Sequence, residues 1–174
     1  MGEQHRHRRP KHREDLTGEH VVGDGGQLAF ALLFGAVWII DTFFLQATTF
    51  LNRLVPLGIR IPLGLVLLIL AGYLAGKGLS IVFGEVREEP VVITKSVFGV
   101  VRHPIYLAEI LAYLGLLLMS LSLAAAAVWT GAIAFLHLIS RYEERLLLDR
   151  FGEAYESYMR QVPMWLPRLR NREG

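Results

Sequence analysis

The chain has 174 residues, 53% of them apolar, and its mean hydropathy of +0.40 is high for a water-soluble domain. Its net charge of +2 is too small to indicate nucleic-acid binding, and the absence of cysteine excludes disulfides, thiolate metal sites and cysteine nucleophiles. Because the apolar residues are gathered into long runs, the composition indicates one membrane domain.

The first 26 residues are polar and rich in arginine and histidine. This composition predicts a disordered basic tail, and no apolar core follows closely enough to make it a signal peptide. His5, His7 and His12 have the chemistry of metal ligands. An exposed basic tail is more often simply solvated, so we predict no metal site.

Four apolar segments follow the tail, at about 28–50, 61–83, 104–120 and 122–140. Each is near the length of about 20 residues that crosses a bilayer. The last two are divided only by a short stretch around Ser120 and Ser122, which predicts a tight helical hairpin. In the second segment, the spacing Gly72-xxx-Gly76 predicts close packing against another helix.

The remaining residues predict a structured polar loop at 85–102 and an amphipathic helix after residue 140, where apolar side chains recur at helical spacing. Lysine and arginine concentrate in the tail, this loop and the C-terminal segment, which places both termini in the cytoplasm. We therefore predict an all-α membrane protein with about four transmembrane helices. Its parts are a tail at 1–26, a transmembrane domain at 27–140 and a cytosolic segment at 141–174.

Ionisable side chains within the apolar segments are costly and usually face a cavity or a partner. Four are present, namely Asp41, Lys77, Glu109 and His137. Glu109 lies one helical turn beyond Tyr106, so it either lines the same cavity or pairs with Lys77. Asp41 and His137 are interpreted as structural, although His137 lies about two turns before a pair of glutamates and could face a pocket there.

A polar cluster, Arg102-His103-Pro104-Ile105-Tyr106, stands where the third apolar segment begins. Since proline suits a first helical position, we predict a helix N-terminus here, with free N–H groups and a positive dipole end. The fourth apolar segment leads into Glu143-Glu144. A hairpin would bring both clusters to one membrane face as a ligand site. Adjacent helical residues point about 100° apart, so one glutamate is expected to face the ligand and the other an arginine.

Three motifs in this half of the chain occur together, and they span about residues 90–168. They are Arg102-His103-Pro104-x-Tyr106, Glu143-Glu144-x-x-Leu147 and Phe151-Gly152-x-x-Tyr155-x-x-Tyr158. This pattern resembles the isoprenylcysteine carboxyl methyltransferase and phospholipid methyltransferase superfamily. The resemblance implies an integral membrane methyltransferase that uses S-adenosylmethionine in a cytosol-facing pocket completed by the C-terminal segment.

The resemblance also implies roles for the residues of these motifs. The cofactor-binding residues would be Arg102, His103, Pro104, Tyr106, Glu143 and Glu144. The chemistry of methyl transfer, rather than the resemblance, suggests the catalytic residues: Arg102 would orient a carboxylate or thiolate acceptor, and Glu109 or Glu143 would serve an amine as a base. The expected partners are membrane lipids and a lipophilic acceptor from the bilayer: an isoprenylcysteine-like carboxylate, a lipid amine or a thiol.

Two other functions stay open at this point. NADPH-dependent membrane sterol reductases are similar to the superfamily in their C-terminal half, but they tend toward Arg-Asp-Glu and Tyr-Gly-x-x-Trp where this chain has Glu143-Glu144 and Phe151-Gly152-x-x-Tyr155. A non-catalytic membrane scaffold with the same fold is the second alternative. The tail and the lack of organelle signals indicate a prokaryotic plasma membrane.

Overall fold

The computed structural model describes residues 21–84 and 91–167, and within these ranges every regular element is a helix. The α-helices are α1 (Val21–Ile39), α2 (Leu57–Gly84), α3 (Pro104–Ser120), α4 (Leu123–Phe151) and α5 (Glu153–Gln161). A π-helical turn at Ile40–Leu45 continues α1, and short 3-10 turns occupy Phe50–Arg53 and Ser96–Gly99. The all-α prediction is confirmed for the described part of the chain.

Among the described residues, three helical stretches are long and apolar enough to cross a membrane, namely Gly25–Leu45, α2 and α4. Helix α3 is also apolar but has only 17 residues. The outward faces of these helices expose many large apolar side chains, which suits hydrocarbon and not water. Examples are Leu32, Phe44, Ile69 and Leu138. These features indicate an integral membrane protein.

The start of α1 differs from the prediction. The helix begins at Val21 rather than near residue 28, so residues 21–26 are helical and not part of a disordered tail. Residues 1–20 of that predicted tail lie outside the described ranges. Gly26 lets α1 approach α4 closely, because a Cβ there would lie 2.0 Å from the Phe135 ring, and a Cβ on Gly23 would lie 3.3 Å from Ile139. These two glycines, which look like part of a flexible linker in sequence, therefore serve helix packing.

The end of α4 also differs from the prediction. The helix continues past residue 140 to Phe151, so the paired glutamates belong to α4 itself. It ends at Gly152, whose φ of +53° is a conformation that glycine adopts without strain, and α5 follows at once. The amphipathic segment predicted as one helix is therefore the end of α4 plus α5. Residues 85–90 and 168–174 of the predicted polar segments lie outside the described ranges.

The helices pair as α2 with α3 and α1 with α4. The two pairs meet at a buried cluster in which Phe34 of α1 stacks on Tyr113 of α3, with ring centroids 4.3 Å apart. Ala125 and Ala132 of α4 complete the cluster, and their small side chains let α4 lie close to both rings. This core holds α1, α3 and α4 in fixed register.

The close packing of α2 on α3 depends on Gly64 and Gly115. A Cβ on Gly64 would lie only 2.7 Å from the carbonyl oxygen of Gly115, whereas no atom of the described residues lies within 4 Å of a Cβ on Gly72 or Gly76. The sequence prediction that Gly72 and Gly76 form the packing face is therefore wrong. Helix α2 has glycines on several faces, and their spacing alone does not tell which face meets α3.

Replacing Gly64 with alanine is expected to lower the free energy of unfolding by about 2 kcal/mol, within the range for overpacked cores. The new methyl group would meet α3 backbone, which cannot rotate away as a side chain can. Gly72→Ala is the matched control: it adds the same methyl group to open space and is expected to be neutral or slightly stabilising. Thermal unfolding in detergent compares the two, and equal midpoints would contradict this account of the packing.

A buried carboxylate fixes the bundle at the end where α3 turns into α4. Asp41 is 4% exposed and accepts hydrogen bonds from the backbone N–H of Thr48 at 3.1 Å and from the hydroxyls of Thr48 and Ser122. The Ser122 oxygen in turn caps α4 by accepting from the N–H of Ala125 at 3.1 Å. These contacts agree with the structural role predicted for Asp41.

Candidate functional site

The polar cluster at the start of α3 has the local structure that the sequence predicts. Pro104 occupies the first position of α3, and His103 is its N-cap residue. The proline ring has no N–H to leave unsatisfied and its φ suits a helix start, so the chain turns into α3 directly after His103. Arg102 and His103 are thereby held against the C-terminal half of α4.

Arg102 is the centre of a buried ion pair and of two further hydrogen bonds. Its Nε donates to Glu144 Oε1 at 2.7 Å, and the two side chains are 10% and 3% exposed. Its Nη1 donates to the carbonyl oxygens of Met159 at 3.0 Å and Val162 at 2.7 Å. One guanidinium group therefore joins α4, α5 and the segment after α5.

Residues 162–167, which we name the C-terminal strap, are bound to the start of α3 through backbone atoms as well. The N–H of Arg102 donates to the carbonyl oxygen of Pro163 at 2.9 Å, and that of His103 to Met164 at 3.3 Å. Nothing in the local sequence signals these contacts, because the paired residues are about 60 positions apart. The strap therefore packs beside Arg102 and His103, whose side chains are only 10% and 8% exposed.

The paired glutamates have different surroundings. Glu144 is 2% exposed and, besides Arg102, it is 3.2 Å from His103 Nε2. Glu143 is half-buried; it accepts a hydrogen bond from the Tyr106 hydroxyl, and its Oε2 lies 3.7 Å from His103 Nδ1. The division expected from helical geometry is found: Glu144 binds the arginine. Glu143 is the more accessible of the two carboxylates.

His103 and Tyr106 form a stacked pair beside Glu143. Their ring planes are parallel within 1° and their centroids are 5.5 Å apart. On the other side, a Cβ on Gly23 of α1 would lie 4.0 Å from Glu143 Oε1. Helices α1, α3 and α4 thus all reach Glu143, which places this carboxylate where three elements converge.

The two tyrosines of the Phe-Gly-x-x-Tyr-x-x-Tyr motif support the cluster from α5. Tyr158 donates to the carbonyl oxygen of Phe98 at 2.7 Å and so ties the segment before α3 to α5. Burial raises the pKa of Tyr155 and of Tyr158, and the nearby negative charge of Glu144 acts in the same direction. Both phenols therefore stay protonated at physiological pH, and Tyr158 keeps the proton that it donates.

Glu109 lies apart from this cluster and faces a groove. Its Oε1 accepts a hydrogen bond from the hydroxyl of Tyr113, one turn further along α3, at 2.6 Å. It does not pair with Lys77, which is exposed while the neighbouring Gly78 packs against α3. Among the described residues, the groove that Glu109 faces is lined by Tyr113 and not by Tyr106. Neither predicted alternative, the same cavity as Tyr106 or a pair with Lys77, is therefore found. Tyr113 is a site residue that the sequence motifs do not include, although its spacing of four from Glu109 is a usable signal.

The groove has a volume of about 410 Å³ and lies between α1 and α3. Its lining residues are Gln27, Leu28, Ala31, Glu109, Ala112 and Tyr113.

His137, the remaining ionisable residue of the apolar segments, is exposed on α4 with its ring edge-on to Trp165 at 5.6 Å. The buried indole Nε1 of Trp165 has no hydrogen-bond partner within the described ranges.

Comparison with known proteins places these motifs in a family. The family model described as phospholipid methyltransferase matches residues 58–154. Methanethiol S-methyltransferase 2 of Bradyrhizobium diazoefficiens is 34% identical over 76 residues, which are 44% of this chain and 29% of that protein. The mouse Delta(14)-sterol reductase TM7SF2 is 27% identical over 169 residues, which are 85% of this chain and 40% of the reductase.

A solved structure shares the fold. The eukaryotic intramembrane Ras methyltransferase ICMT (isoprenylcysteine carboxyl methyltransferase) matches 86% of this chain and 53% of its own, with a TM-score of 0.58 and 23% sequence identity. The chain spans less than half the length of the curated relatives named above. The family match covers both motif-bearing helices of the site, so the resemblance seen in the sequence is confirmed: the chain belongs to the phospholipid methyltransferase family.

Proposed function

We propose that this chain is a membrane methyltransferase that transfers a methyl group from S-adenosylmethionine to a lipophilic acceptor. The observation that carries the proposal is the convergence of two distant motifs on one spot. His103 and Tyr106 of α3 both face Glu143 of α4, next to the strap that is hydrogen-bonded to the start of α3. Membership of the phospholipid methyltransferase family supports the same function.

The residues present fit this cofactor chemically. When bound, S-adenosylmethionine supplies an electrophilic methyl group on a sulfonium. Its positive sulfonium and ammonium groups suit the accessible carboxylate of Glu143. The N-terminus of α3 suits its carboxylate. The indole N–H of Trp165, which has no hydrogen-bond partner in the part of the chain that the structure describes, offers a further donor on the strap side.

We propose that Arg102 and Glu144 have a structural role and hold the elements of the site together. Arg102 already donates to one carboxylate and two carbonyl oxygens, and Glu144 is almost wholly buried between Arg102 and His103. We therefore propose that they position His103 and the strap, and that Arg102 does not itself orient the acceptor. The residues in contact with the cofactor would be His103, Tyr106 and Glu143.

Methyl transfer from a sulfonium is an in-line displacement, so alignment and exclusion of water supply most of the rate acceleration. The strap and the stacked pair of His103 and Tyr106 are suited to aligning the reactants, because both are fixed by contacts from separate helices.

We also propose that the chain crosses the membrane four times and that α3 is the shortest of the four crossing helices. The distribution of lysine and arginine supports a cytoplasmic side for this site and for both termini.

Glu143→Gln tests the proposed function. We expect S-adenosylmethionine to bind the variant at least about tenfold more weakly, the factor that corresponds to 1.4 kcal/mol, because a carboxylate that faces the cofactor's positive groups is lost. Calorimetric titration of the detergent-solubilised protein measures the affinity. Glu153→Gln, an exposed position on α5, is the matched control and should bind as the wild type does.

The same titration separates the proposal from its alternatives. If the protein binds NADPH but not S-adenosylmethionine, the methyltransferase proposal is wrong, and the reductase function suggested by the similarity to TM7SF2 takes its place. Binding of neither molecule to folded protein would favour a non-catalytic scaffold. Wild-type affinity in Glu143→Gln would remove Glu143 from the cofactor site.

A further inference from the structure

A buried arginine lies at the end of the bundle away from the polar cluster. Arg60 of α2 is only 6% exposed. Its Nη1 donates to the side-chain oxygen of Asn52 and, at 2.9 Å, to the carbonyl oxygen of Met119. Its Nε is also buried and has no hydrogen-bond partner within the described ranges. Because Met119 lies near the C-terminal end of α3, this guanidinium group is roughly 24 Å along that helix from His103.

The positive charge of Arg60 has no full counter-charge in the described part of the chain. The cations of the ion pairs found there are other residues, namely Arg102, His103 and Arg160. Asp41, the carboxylate at the same end of the bundle, is occupied by two hydroxyls and a backbone N–H. The carbonyl end of α3 offers Arg60 only a partial negative charge. Since a buried guanidinium group is normally paired, the missing charge points to an anionic ligand.

The start of α2 adds backbone donors beside this arginine. The carbonyl oxygen of Pro56 accepts from the N–H of Arg60 at 3.2 Å, whereas the N–H groups of Leu57 and Gly58 have no backbone acceptor among the described residues. Helical side chains tilt toward the N-terminus of their helix, and the guanidinium group of Arg60 reaches the turn before α2. The side chain and the free N–H groups therefore lie at the same helix end, where the dipole also favours an anion.

The surroundings of this helix end suit a lipid better than a dissolved ion. Large apolar side chains are exposed in the turn before α2 and in its first turn, namely Phe50, Leu54, Leu57 and Ile59. The end of a membrane-spanning helix lies near the lipid headgroups, so such side chains contact the upper parts of acyl chains. A Cβ on Gly58 would meet no atom of the described residues within 4 Å, which leaves the approach to the N–H groups open.

We propose that Arg60 and the start of α2 bind the phosphate group of an anionic phospholipid, on the membrane face opposite the proposed cofactor site. Arg53, exposed in the turn before α2, supplies a second positive charge and favours a lipid with a net negative charge. The lipid is a bound partner and not the methyl acceptor, because the two sites lie at opposite ends of α3. The proposal therefore does not depend on methyl transfer.

Binding is tested on the full chain in dodecyl maltoside with short-chain dihexanoyl phosphatidylglycerol as the probe. A ligand of the folded state raises the thermal unfolding midpoint in proportion to its affinity, so the midpoint reports binding. Dihexanoyl phosphatidylcholine, which has the same chains but no net charge, and inorganic phosphate are the counterparts. We expect both to bind at least about tenfold more weakly than the anionic lipid. An equal affinity for phosphatidylcholine would contradict the lipid's charge, and an equal affinity for inorganic phosphate would identify a free anion instead of a lipid.

Arg60→Gln tests the arginine itself. We expect this variant to bind phosphatidylglycerol about tenfold more weakly, because it loses a charged hydrogen bond to the phosphate. Lys77→Gln is the matched control: it removes the same charge from an exposed position of α2, roughly 26 Å further along the helix, and should bind as the wild type does. Wild-type affinity in Arg60→Gln would overturn the proposal.

A further pair of variants keeps Arg60 in place. Leu57 lies three residues before Arg60 on the same face of α2, in the first turn, where an acidic side chain is favourable. Leu57→Asp supplies an internal counter-charge where the phosphate would lie, and Leu57→Asn has the same shape without the charge. Without lipid, Leu57→Asp should unfold at the higher temperature, and it should bind phosphatidylglycerol at least about tenfold more weakly than Leu57→Asn.

Equal binding of phosphatidylglycerol by Leu57→Asp and Leu57→Asn would also overturn the proposal. The affinity for S-adenosylmethionine should be the same in all of these variants, because the cofactor site lies at the other end of α3. Failure of the lipid site would therefore leave the proposed function untouched, and failure of the proposed function would leave the lipid site untouched.

Discussion

Glu144→Gln is expected to lower the free energy of unfolding by about 3 kcal/mol, the cost of breaking one side of a buried ion pair. Glu144 is 2% exposed, and Arg102 reaches it at 2.7 Å. Glutamine keeps the shape of the side chain but removes its charge. Arg102 would then be buried among two carbonyl oxygens and an amide, without the counter-charge that stabilises it.

The neighbouring glutamate is the control for this prediction. Glu143→Gln removes the same charge one position away, but from a half-buried side chain, and it should cost less than about 1 kcal/mol of stability. Thermal unfolding in detergent should therefore separate two variants that differ by one position on α4. Equal stability of both would show that the Arg102–Glu144 pair does not anchor the strap.

Asp41→Ala is expected to cost a similar amount, about 3 kcal/mol, because three hydrogen-bond donors would lose their charged acceptor. These donors are the N–H and hydroxyl of Thr48 and the hydroxyl of Ser122, all close to the α3–α4 turn. Asp41 lies 18 residues beyond Gly23 on the same helical run, roughly 27 Å from the polar cluster. The affinity for S-adenosylmethionine should therefore be unchanged in the folded variant.

Thr42→Val is the matched control for Asp41→Ala. Thr42 is the next residue in the same π-helical turn, and its buried hydroxyl forms no hydrogen bond within the described ranges. Valine has the same shape, so this change should be neutral or slightly stabilising. If Asp41→Ala unfolds no earlier than Thr42→Val, the carboxylate does not hold the turn.

The features that the sequence predicted well depend on local chemistry. Helix α3 has the predicted bounds, because Pro104 starts it and the turn before Ser122 ends it. The meeting of Arg102 with Glu144 follows from two apolar segments that cross in opposite directions. Helical geometry also predicts that one of the adjacent residues Glu143 and Glu144 is buried and the other accessible. It does not predict which of the two is buried.

The features that the sequence did not predict depend on contacts between distant elements. Whether Gly64 or Gly72 packs against a neighbour is decided by which face of α2 meets α3. The partners of Arg102 on the strap are backbone carbonyl oxygens, and every residue has one. The pairing of Glu109 with Tyr113 rather than with Lys77 likewise depends on how α2 is rotated about its axis.

The contacts of the strap also bear on the order in which the protein is made. A nascent chain that has been synthesised only as far as Phe151 contains α1 to α4 and every side chain assigned to the cofactor except the indole of Trp165. The carbonyl oxygens that Arg102 and the start of α3 require belong to Met159, Val162, Pro163 and Met164. Completion of the polar cluster therefore requires residues that are synthesised after all four of these helices.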